Sequence, residues 1–235
     1  MRLVHGLTFA AALALVMPTF AAQGAAQDPN ASRAVAGGGI TVAGWTGKMD
    51  DSTENKGLTI NDAKFAAEAG GGFHVTTGPS MTYWNPANKA TGNYTIEATF
   101  NEKEFMAINT HAHPYGIAIA GNDLGTPTMS MLYCSAYGDG RFIVRGFNPA
   151  PFAVNPRAEA NAAINKAAGK GSPVMQKIAM SVTADKVTCS VNGTVVGSYD
   201  KAAVVGAGKL KSTDGVYGLR FGHNTEVVVT GFAKK

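Results

Sequence analysis

Residues 177–199 read KIAMSVTADKVTCSVNGTVVGSY, and this stretch decides the fold class. Polar and apolar side chains alternate along it, as they do on a β-strand that buries one face. Asn192-Gly193 is the type of residue pair that supplies the positive φ angles of a two-residue hairpin turn. A second tight turn is predicted at residues 184–186. The stretch therefore predicts a meander of three antiparallel strands.

The same period-2 pattern recurs along most of the chain. A further hairpin turn is predicted at Asp139-Gly140, and the last hairpin is predicted at His223-Asn224. Many short strands bounded by turn residues predict an all-β protein, a two-sheet antiparallel sandwich. The other strand-like segments are ITVAGWT (40–46), GFHVTT (72–77), NYTIEATF (93–100), YGIAIAG (115–121), SMLYCSAYG (130–138), RFIVRGF (141–147), GVYGLRFG (215–222) and TEVVVTGF (225–232).

Two stretches break the pattern. Residues 50–72 are predicted to form a loop with one helical turn around Asp62–Ala69. Residues 148–173 form a long excursion, and its Ala-rich centre predicts a short helix at Ala158–Ala168. Long excursions in a compact β domain often serve a function or are mobile.

The composition excludes several classes of protein. The chain has 29 glycines in 235 residues, and charged residues make up only 15%. A coiled coil or an acidic disordered chain would carry more charge. The formal net charge is +4, but the basic residues form no stripe along the chain, so nucleic acid is not an expected partner.

The first residues have the layout of a secretory signal peptide. Arg2 precedes an apolar run over residues 7–16, and Pro18 and small residues follow it. The run is shorter than the roughly 20 residues that span a bilayer. We therefore expect cleavage after Ala21, or as late as Ala26, instead of a membrane anchor.

Cleavage defines the expected organisation of the exported chain. Residues 22–39 are small, polar and Gly-rich and are predicted to form a flexible lead-in, and residues 40–235 are predicted to form a single domain. We expect a periplasmic or extracellular location, with no membrane span left after cleavage. The oligomeric state is not predicted.

Export would place the two cysteines in an oxidising compartment. Cys134 and Cys189 each lie among apolar neighbours on one predicted strand face, so both side chains are expected to point inward. A disulfide and a pair of buried thiols are both consistent with this pattern. The spacing of the two residues is unlike that of a metal knuckle.

Five segments together resemble a known fold family. They are GPSMTYWNPANKATGNYTIEATF (78–100), HPYGIAIAGNDL (113–124), DGRFIVRGF (139–147), VNGTVV (191–196) and GVYGLRFGHNTEVVVTGF (215–232). Their order resembles the concanavalin A-like lectin/glucanase superfamily, which includes laminin-G-like domains, and in particular its exported bacterial members without an assigned activity. The resemblance implies a curved two-sheet jelly-roll sandwich, a fold whose concave face and rim loops often bind glycans.

The acids that catalyse glycan hydrolysis in this superfamily are missing from the sequence. Its retaining glucanases carry Glu-x-Asp-x-x-Glu on one strand, where the acids flank the scissile bond. No such pattern occurs here. The nearest acids are Glu97, Glu102 and Glu104, which we expect to be solvated at a strand end. No catalytic residue is therefore predicted.

His111 and His113 form the pair most suggestive of chemistry. Residues two apart on an extended chain face the same side, so both imidazoles could bind one ligand or one metal ion. A metal site would need a third ligand, for which His74, His223 and Asp123 are the candidates. The alternative is that the two histidines order a loop through hydrogen bonds.

Asn122 and Asp123 follow a predicted strand and could supply oxygen ligands to calcium in a rim loop, as some laminin-G-like relatives do. Calcium takes six or more oxygen ligands, and two side chains are only part of such a site. The alternative is an ordinary turn at a strand end. Calcium is the one cofactor considered.

Aromatic residues and one arginine are candidates for contact with a glycan. Tyr83 and Trp84 are adjacent and face opposite ways on a strand, so one should be core and the other open to a ligand. The further candidates are Tyr115, Tyr133, Tyr137 and Arg145.

The sequence supports one leading functional hypothesis. We expect an exported, non-catalytic protein that binds a glycan or a cell-surface polymer with its concave sheet face and rim loops. A glycan hydrolase or lyase with unrecognised catalytic residues is the first alternative. A structural or adhesive surface protein is the second.

Overall fold

The computed structural model describes residues 31–235. The predicted signal peptide and residues 22–30 lie outside the described residues. The described chain forms sixteen strands, two short 3-10 helices and one four-residue α-helix. The strands are β1 (Gly39–Ile40), β2 (Thr46–Met49), β3 (Lys64–Ala67), β4 (Phe73–Thr76), β5 (Met81–Ala90), β6 (Tyr94–Glu102), β7 (Pro114–Asn122), β8 (Ser130–Tyr137), β9 (Arg141–Asn148), β10 (Ala150–Ala153), β11 (Glu159–Ala160), β12 (Val174–Val182), β13 (Lys186–Val191), β14 (Thr194–Asp200), β15 (Gly215–Phe221) and β16 (Glu226–Lys234). The 3-10 helices are Thr53–Asn55 and Ile60–Asp62, and α1 is Lys201–Val204.

The strands form two sheets packed face to face. The first sheet has the order β1-β3-β4-β16-β6-β12-β13-β14. The second has the order β10-β9-β8-β7-β15-β5-β2, and β11 adds to β9. Within residues 31–235 the strand pairs are antiparallel, apart from β1 with β3. The predicted all-β jelly-roll sandwich is confirmed.

The core lies between the inner faces of the two sheets. Burial alternates strictly along β6, which shows why the period-2 pattern in the sequence was informative. Large aromatic rings from both sheets meet in this layer. Phe65 of the first sheet stacks on Tyr83 of the second at 4.6 Å between ring centroids, and Phe100 stacks on Tyr115 at 5.5 Å. Each ring removes 150–250 Å² from water, so these contacts dominate the packing energy.

The predicted meander at residues 177–199 is present as β12, β13 and β14. Asn192 and Gly193 have φ angles of 52° and 85°, as the two-residue turn requires. The Asn192 side chain has a second role. Its Nδ2 donates to the carbonyl of Ala163 at 2.8 Å, and this bond ties the 148–173 excursion to the first sheet.

The excursion contains no helix in the described segment 158–168, contrary to the prediction. The excursion starts with β10, and the segment 158–168 starts with β11; both strands pair with β9, and turns follow β11. Ile164 is buried in the core, and Gln176 exchanges hydrogen bonds with the backbone of Asn165 at 2.8 and 3.1 Å. These tertiary contacts outweigh the helix propensity of the alanines.

Two other local predictions were wrong. The segment Asp62–Ala69 ends a 3-10 helix and continues as strand β3, whose Phe65 needs an extended backbone to reach the core. His223-Asn224 does not join a hairpin. It carries the chain from β15 in the second sheet to β16 in the first, because β16 must pair with β4 and β6.

Residues 31–39 pack on the domain, although the sequence predicted a flexible lead-in there. Ser32 is buried, and its Oγ donates to Asn55 Oδ1 at 2.8 Å. The Arg33 amide donates to Asn224 Oδ1 at 2.9 Å. The ordered domain therefore starts before residue 40. None of the helices in residues 31–235 has the length and apolar character needed to cross a bilayer.

Cys134 and Cys189 form a disulfide that links β8 of one sheet to β13 of the other. Their Cα atoms are 6.2 Å apart, and both residues are buried. The bond closes a loop with a sequence separation of 55. Such a crosslink limits the freedom of the unfolded chain and so stabilises the sandwich.

Removing the disulfide should lower stability. We expect the double variant Cys134→Ala/Cys189→Ala to lose about 2–5 kcal/mol of unfolding free energy, the usual contribution of a native disulfide. Urea unfolding followed by circular dichroism measures the change. Reductant should lower the midpoint of the original protein and leave the double variant unchanged. Equal midpoints for the two proteins without reductant would contradict the assignment.

Candidate functional site

A groove of about 610 Å³ crosses the outer face of the second sheet. One wall is the end of β2 and the residues after it, from Lys48 to Ser52. The other wall is the hairpin between β9 and β10, from Phe147 to Pro151. Side chains of the strands in between form the floor. Because β2 and β10 are the two edge strands, the floor of the groove spans the width of the sheet between these walls.

Strand alternation determines which side chains reach the groove. On β8, Leu132 and Cys134 enter the core, so Tyr133 faces outward. On β9, Val144 enters the core, so Arg145 and Phe147 face outward. The Tyr133 and Phe147 rings stack with centroids 5.9 Å apart.

An ion pair between buried Arg220 and half-buried Asp50 forms the centre of the floor. Arg220, on β15, donates from Nη1 to Asp50 Oδ1 at 2.7 Å and from Nη2 to Asp50 Oδ2, a bidentate pair. Its Nη1 also contacts Thr82 Oγ1 at 3.2 Å. The guanidinium carbon lies 5.2 Å from the Tyr133 ring centroid and 5.6 Å from that of Phe147. The pair therefore fixes the β2 wall relative to the aromatic floor.

Gly116 makes room for this arrangement. It lies opposite Arg220 in the register of β7 and β15, so it presents no side chain beside the guanidinium. A Cβ atom at this position would lie 1.9 Å from the Cys134 carbonyl oxygen, closer than any real contact. The close approach of β7 and β8 beneath the groove thus requires glycine here.

Arg145 is the polar group of the groove that lacks a partner. Its Nε is buried and makes no hydrogen bond to any residue in the described chain. A buried donor without a partner costs about 1–3 kcal/mol. A ligand oxygen that accepted this hydrogen bond would recover that cost.

The structure divides the aromatic residues predicted to contact a ligand. Tyr133 lines the groove, as does Arg145. Tyr83 and Tyr115 do not reach the surface, because both lie on inner strand faces with 0% exposure. Those two predictions are corrected: these side chains are core residues. Tyr137 is half-buried at the outer face, where Arg141 lies over its ring at 5.0 Å.

Trp84 faces away from Tyr83, as expected, but it is covered. The loop after β7 folds over its ring, and a Cβ atom on Gly125 would lie 3.6 Å from Trp84 Cζ2. Trp84 is 5% exposed, so it packs under this loop and offers no open face to a ligand.

His111 and His113 lie together in the loop before β7, with ring centroids 4.3 Å apart. Three residues were candidates for a third ligand, and of these His223 lies beside the pair. Its ring centroid is 3.9 Å from that of His113. His74 lies instead on β4, where Nε2 contacts Glu226 Oε1 at 2.9 Å. Burial, followed by the nearby His223 and His111, lowers the pKa of His113 to about 3, so His113 is neutral near pH 7.

Asn122 and Asp123 lie at the end of β7, and other protein groups contact both. Asn122 Nδ2 donates to the carbonyls of Ala120 and Asp214 at 3.1 and 3.0 Å. Asp123 Oδ2 lies 3.4 Å from Lys211 Nζ. Both side chains are therefore held by neighbouring protein groups.

The acidic run near the end of β6 is not uniformly solvated. Glu97 contacts Lys177 at 3.1 Å and Lys235 at 3.3 Å, and the hydrogen bond from Lys177 is the main cause of its lowered pKa. Glu104 is exposed, as expected. Glu102 is buried, contrary to expectation, because it occupies an inner position of β6, and burial raises its pKa to about 7.

Three residues of the groove were not identified from the sequence: Arg220, Asp50 and Phe147. The available signal was an arginine between the apolar residues Leu219 and Phe221 of a predicted strand. A charge on the outer face of a central strand needs a partner. The partner, Asp50, is 170 residues away in sequence, so the pair could not be assigned.

Comparisons with known proteins agree with this fold. The sequence matches no protein-family model and no curated protein sequence. Among solved structures, the chain is similar to the carbohydrate binding module CBM66 from Bacillus subtilis, with a TM-score of 0.54 and 9% identity over 84% of this chain and 99% of that chain. It is also similar to a Bacillus subtilis protein of unknown function with a galectin-like fold, with a TM-score of 0.49 and 13% identity over 81% of this chain and 88% of that chain. A further similar structure is the endo-beta-1,3-glucanase from Pyrococcus furiosus, with a TM-score of 0.47 and 11% identity over 81% of this chain and 87% of that chain.

At these identities the likeness shows the fold alone. Of the three, the first exceeds a TM-score of 0.5, and the fold comparison rests on it. The chain has the two-sheet jelly-roll fold that the sequence resemblance implied.

The buried ion pair can be tested directly. Asp50→Asn leaves the Arg220 guanidinium buried without an opposite charge, and we expect a loss of about 3 kcal/mol of unfolding free energy. The neighbouring Asp51→Asn removes an exposed carboxylate and should change stability by less than about 0.5 kcal/mol. Urea unfolding of both variants provides the measurement. Equal effects of the two substitutions would contradict a structural role for the pair.

Glu102 should make the protein less stable as the pH rises. Its native pKa of about 7 lies above the ordinary value of 4.5, so between these values the unfolded state binds fewer protons than the native state. Stability therefore falls from about pH 4.5 to pH 7. Glu102→Gln should be more stable than the original protein at pH 8, by up to about 3 kcal/mol, with little difference at pH 4.5.

Urea midpoints at the two pH values measure the effect of Glu102→Gln. The exposed neighbour Glu104→Gln is the matched control and should show no such dependence. A constant difference between Glu102→Gln and the original protein across the pH range would show that Glu102 is ionised in the native state.

Proposed function

We propose that this protein is an exported, non-catalytic binder of an extended glycan, with the groove on the second sheet as its binding site. The observation that supports this most directly is the extent of the groove, which has a volume of about 610 Å³ and a floor that spans the sheet from the β2 wall to the β9–β10 wall. A short stretch of a glycan can lie on this floor between the two walls. A closed pocket would select a single small molecule.

The lining suits a polymer that is both polar and partly apolar. Phe147 is half-buried and offers an apolar ring face that a sugar ring can cover. Tyr133 supports it from below. Lys48, Arg145 and Asp51 add hydrogen-bonding groups along the walls. A few polar groups on an apolar floor are typical of a binding cleft.

Arg145 gives the groove a preferred contact. Its half-buried guanidinium, whose Nε has no protein partner, would donate to a hydroxyl or carboxylate oxygen of the glycan. Because Arg220 is already paired with Asp50, Arg145 is the guanidinium left for the ligand. The proposal therefore predicts that Arg145 determines affinity and that Arg220 acts through the shape of the floor.

The fold agrees with this proposal. The solved structure similar to this chain at a TM-score of 0.54 is named a carbohydrate binding module, and it is matched over 99% of its length. Glycan binding is carried over to this chain as part of the proposal, since the likeness itself concerns the fold.

The carboxylates of the groove favour binding over hydrolysis. Glycoside hydrolases place two carboxyl groups on opposite sides of the scissile bond. Among the described residues that line the groove, the carboxylates belong to Asp50 and Asp51, which are adjacent in sequence. Both oxygens of Asp50 are held by Arg220, so this side chain is not available as an acid or a nucleophile.

A glycan array followed by calorimetry on soluble polysaccharides tests the proposal. We expect Phe147→Ala and Arg145→Ala each to weaken binding by about tenfold or more, since each would lose more than about 1.4 kcal/mol of contact energy. Arg141→Ala is the matched control, because Arg141 lies on the same strand but pairs with Asp139 outside the groove. Its affinity should match that of the original protein.

Three results would overturn the proposal. They are the absence of binding to every saccharide, unchanged affinity in both groove variants, and release of reducing ends during incubation with a bound polysaccharide. The last result would show that the protein is a hydrolase.

A further inference from the structure

Three histidines converge at one end of the second sheet, and none of them lines the groove. The topology explains the convergence. Strand β7 begins at Pro114, the neighbouring strand β15 ends at Phe221, and the two are antiparallel. Residues just before β7 and just after β15 therefore lie side by side at the same end of the sheet. His113 precedes β7 directly, and His223 is the second residue after β15.

The junction beside the histidines is tightly packed. The Gly222 amide donates to the Pro114 carbonyl at 2.7 Å. A Cβ atom on Gly222 would lie 2.8 Å from Pro114 Cδ and 3.2 Å from His113 Cβ, so a larger residue would force the two segments apart. This contact brings His223 against His113.

Hydrogen bonds fix the turn that carries His223. Asn224, with a φ of 50°, accepts from the Arg33 amide at 2.9 Å through Oδ1 and donates to the Ala31 carbonyl at 2.9 Å through Nδ2. Its own carbonyl accepts from Asn109 Nδ2 at 2.8 Å. Asn109 belongs to the same loop as His111, so both sides of the cluster are held together.

The nitrogen atoms of the cluster are close enough to share a cation. One ring nitrogen from each of His111, His113 and His223 lies within 4.8 Å of the other two. A tetrahedral zinc ion with bonds of about 2.0–2.1 Å needs ligand nitrogens roughly 3.4 Å apart. The present spacing of up to 4.8 Å would therefore have to shorten by as much as about 1.4 Å when an ion binds.

Two of the ligands are buried and incompletely bonded. His113 and His223 are 7% and 4% exposed. His113 Nε2 and His223 Nδ1 are buried and have no hydrogen-bond partner among residues 31–235. Buried polar atoms are nearly always paired, so such unpaired atoms on two adjacent rings need a reason. A bound cation would accept the lone pair of each ring.

We propose that His111, His113 and His223 form a binding site for a divalent transition-metal cation, with Zn²⁺ as the expected ion. Imidazole nitrogen is a ligand that zinc favours in proteins, whereas calcium requires six or more oxygen ligands. His111 is exposed, so an ion has a path from solvent. Glu54 Oε2 lies 3.9 Å from His223 Nε2 and is within reach as an outer partner or a fourth ligand.

The experiment uses the untagged protein after treatment with a chelator, and Zn²⁺ alone as the probe. We expect calorimetry to give one Zn²⁺ per chain and thermal unfolding to shift upward with added Zn²⁺. His111→Ala changes an exposed loop residue, so the fold should survive, as circular dichroism will verify. Its affinity should fall at least about tenfold, which is the loss that even an outer partner of a metal ligand causes.

His74→Gln is the matched control. His74 also lies beside carboxylates, at 2.9 Å from Glu226 and 3.7 Å from Glu68, but it is not part of the cluster. Its variant should bind Zn²⁺ as the original protein does. The proposal is wrong if the original protein shows no saturable binding, if folded His111→Ala binds equally well, or if His74→Gln loses as much affinity as His111→Ala.

Discussion

Burial of the two inner sheet faces is the constraint on which the rest of this structure depends. Along the regular stretches of these strands the side chains alternate between the two faces, so the inward residues determine which residues face outward. On β8, the inward Cys134 forms the inter-sheet disulfide and leaves Tyr133 on the outer face. On β15, the inward Phe221 leaves Arg220 outside. The floor of the groove is thus the reverse side of the core.

The Arg220–Asp50 ion pair costs desolvation free energy but positions the side chains that line the groove. Removing a guanidinium and a carboxylate from water costs several kcal/mol each, and an apolar pair would often be as stable. Here the guanidinium packs against two aromatic rings, and the ion pair connects Asp50, the first residue after β2, to a central strand. Its contribution lies in the position of the wall and the floor more than in net stability.

Local features of the structure could be predicted from the sequence, and long-range ones could not. The Asn192-Gly193 turn and the strand alternation depend on neighbouring residues, so they were readable. The helix predicted at residues 158–168 failed because contacts of Ile164 and Asn165 with distant strands decide the backbone there. The order of strands in each sheet could not be predicted. For that reason the sequence did not show that His223, and not His74 or Asp123, lies beside His113. This placement follows only once β7 and β15 are known to be neighbours.

The place of β16 in the first sheet has a consequence for how the chain folds. This strand, the last of the described chain, lies between β4 and β6, and it forms hydrogen bonds with both. The centre of the sheet is therefore incomplete until residues 226–234 have been made and delivered. Pairings between such distant segments close late and slow the folding rate. Strands β4 and β6 therefore each keep one unpaired edge until β16 takes its place between them.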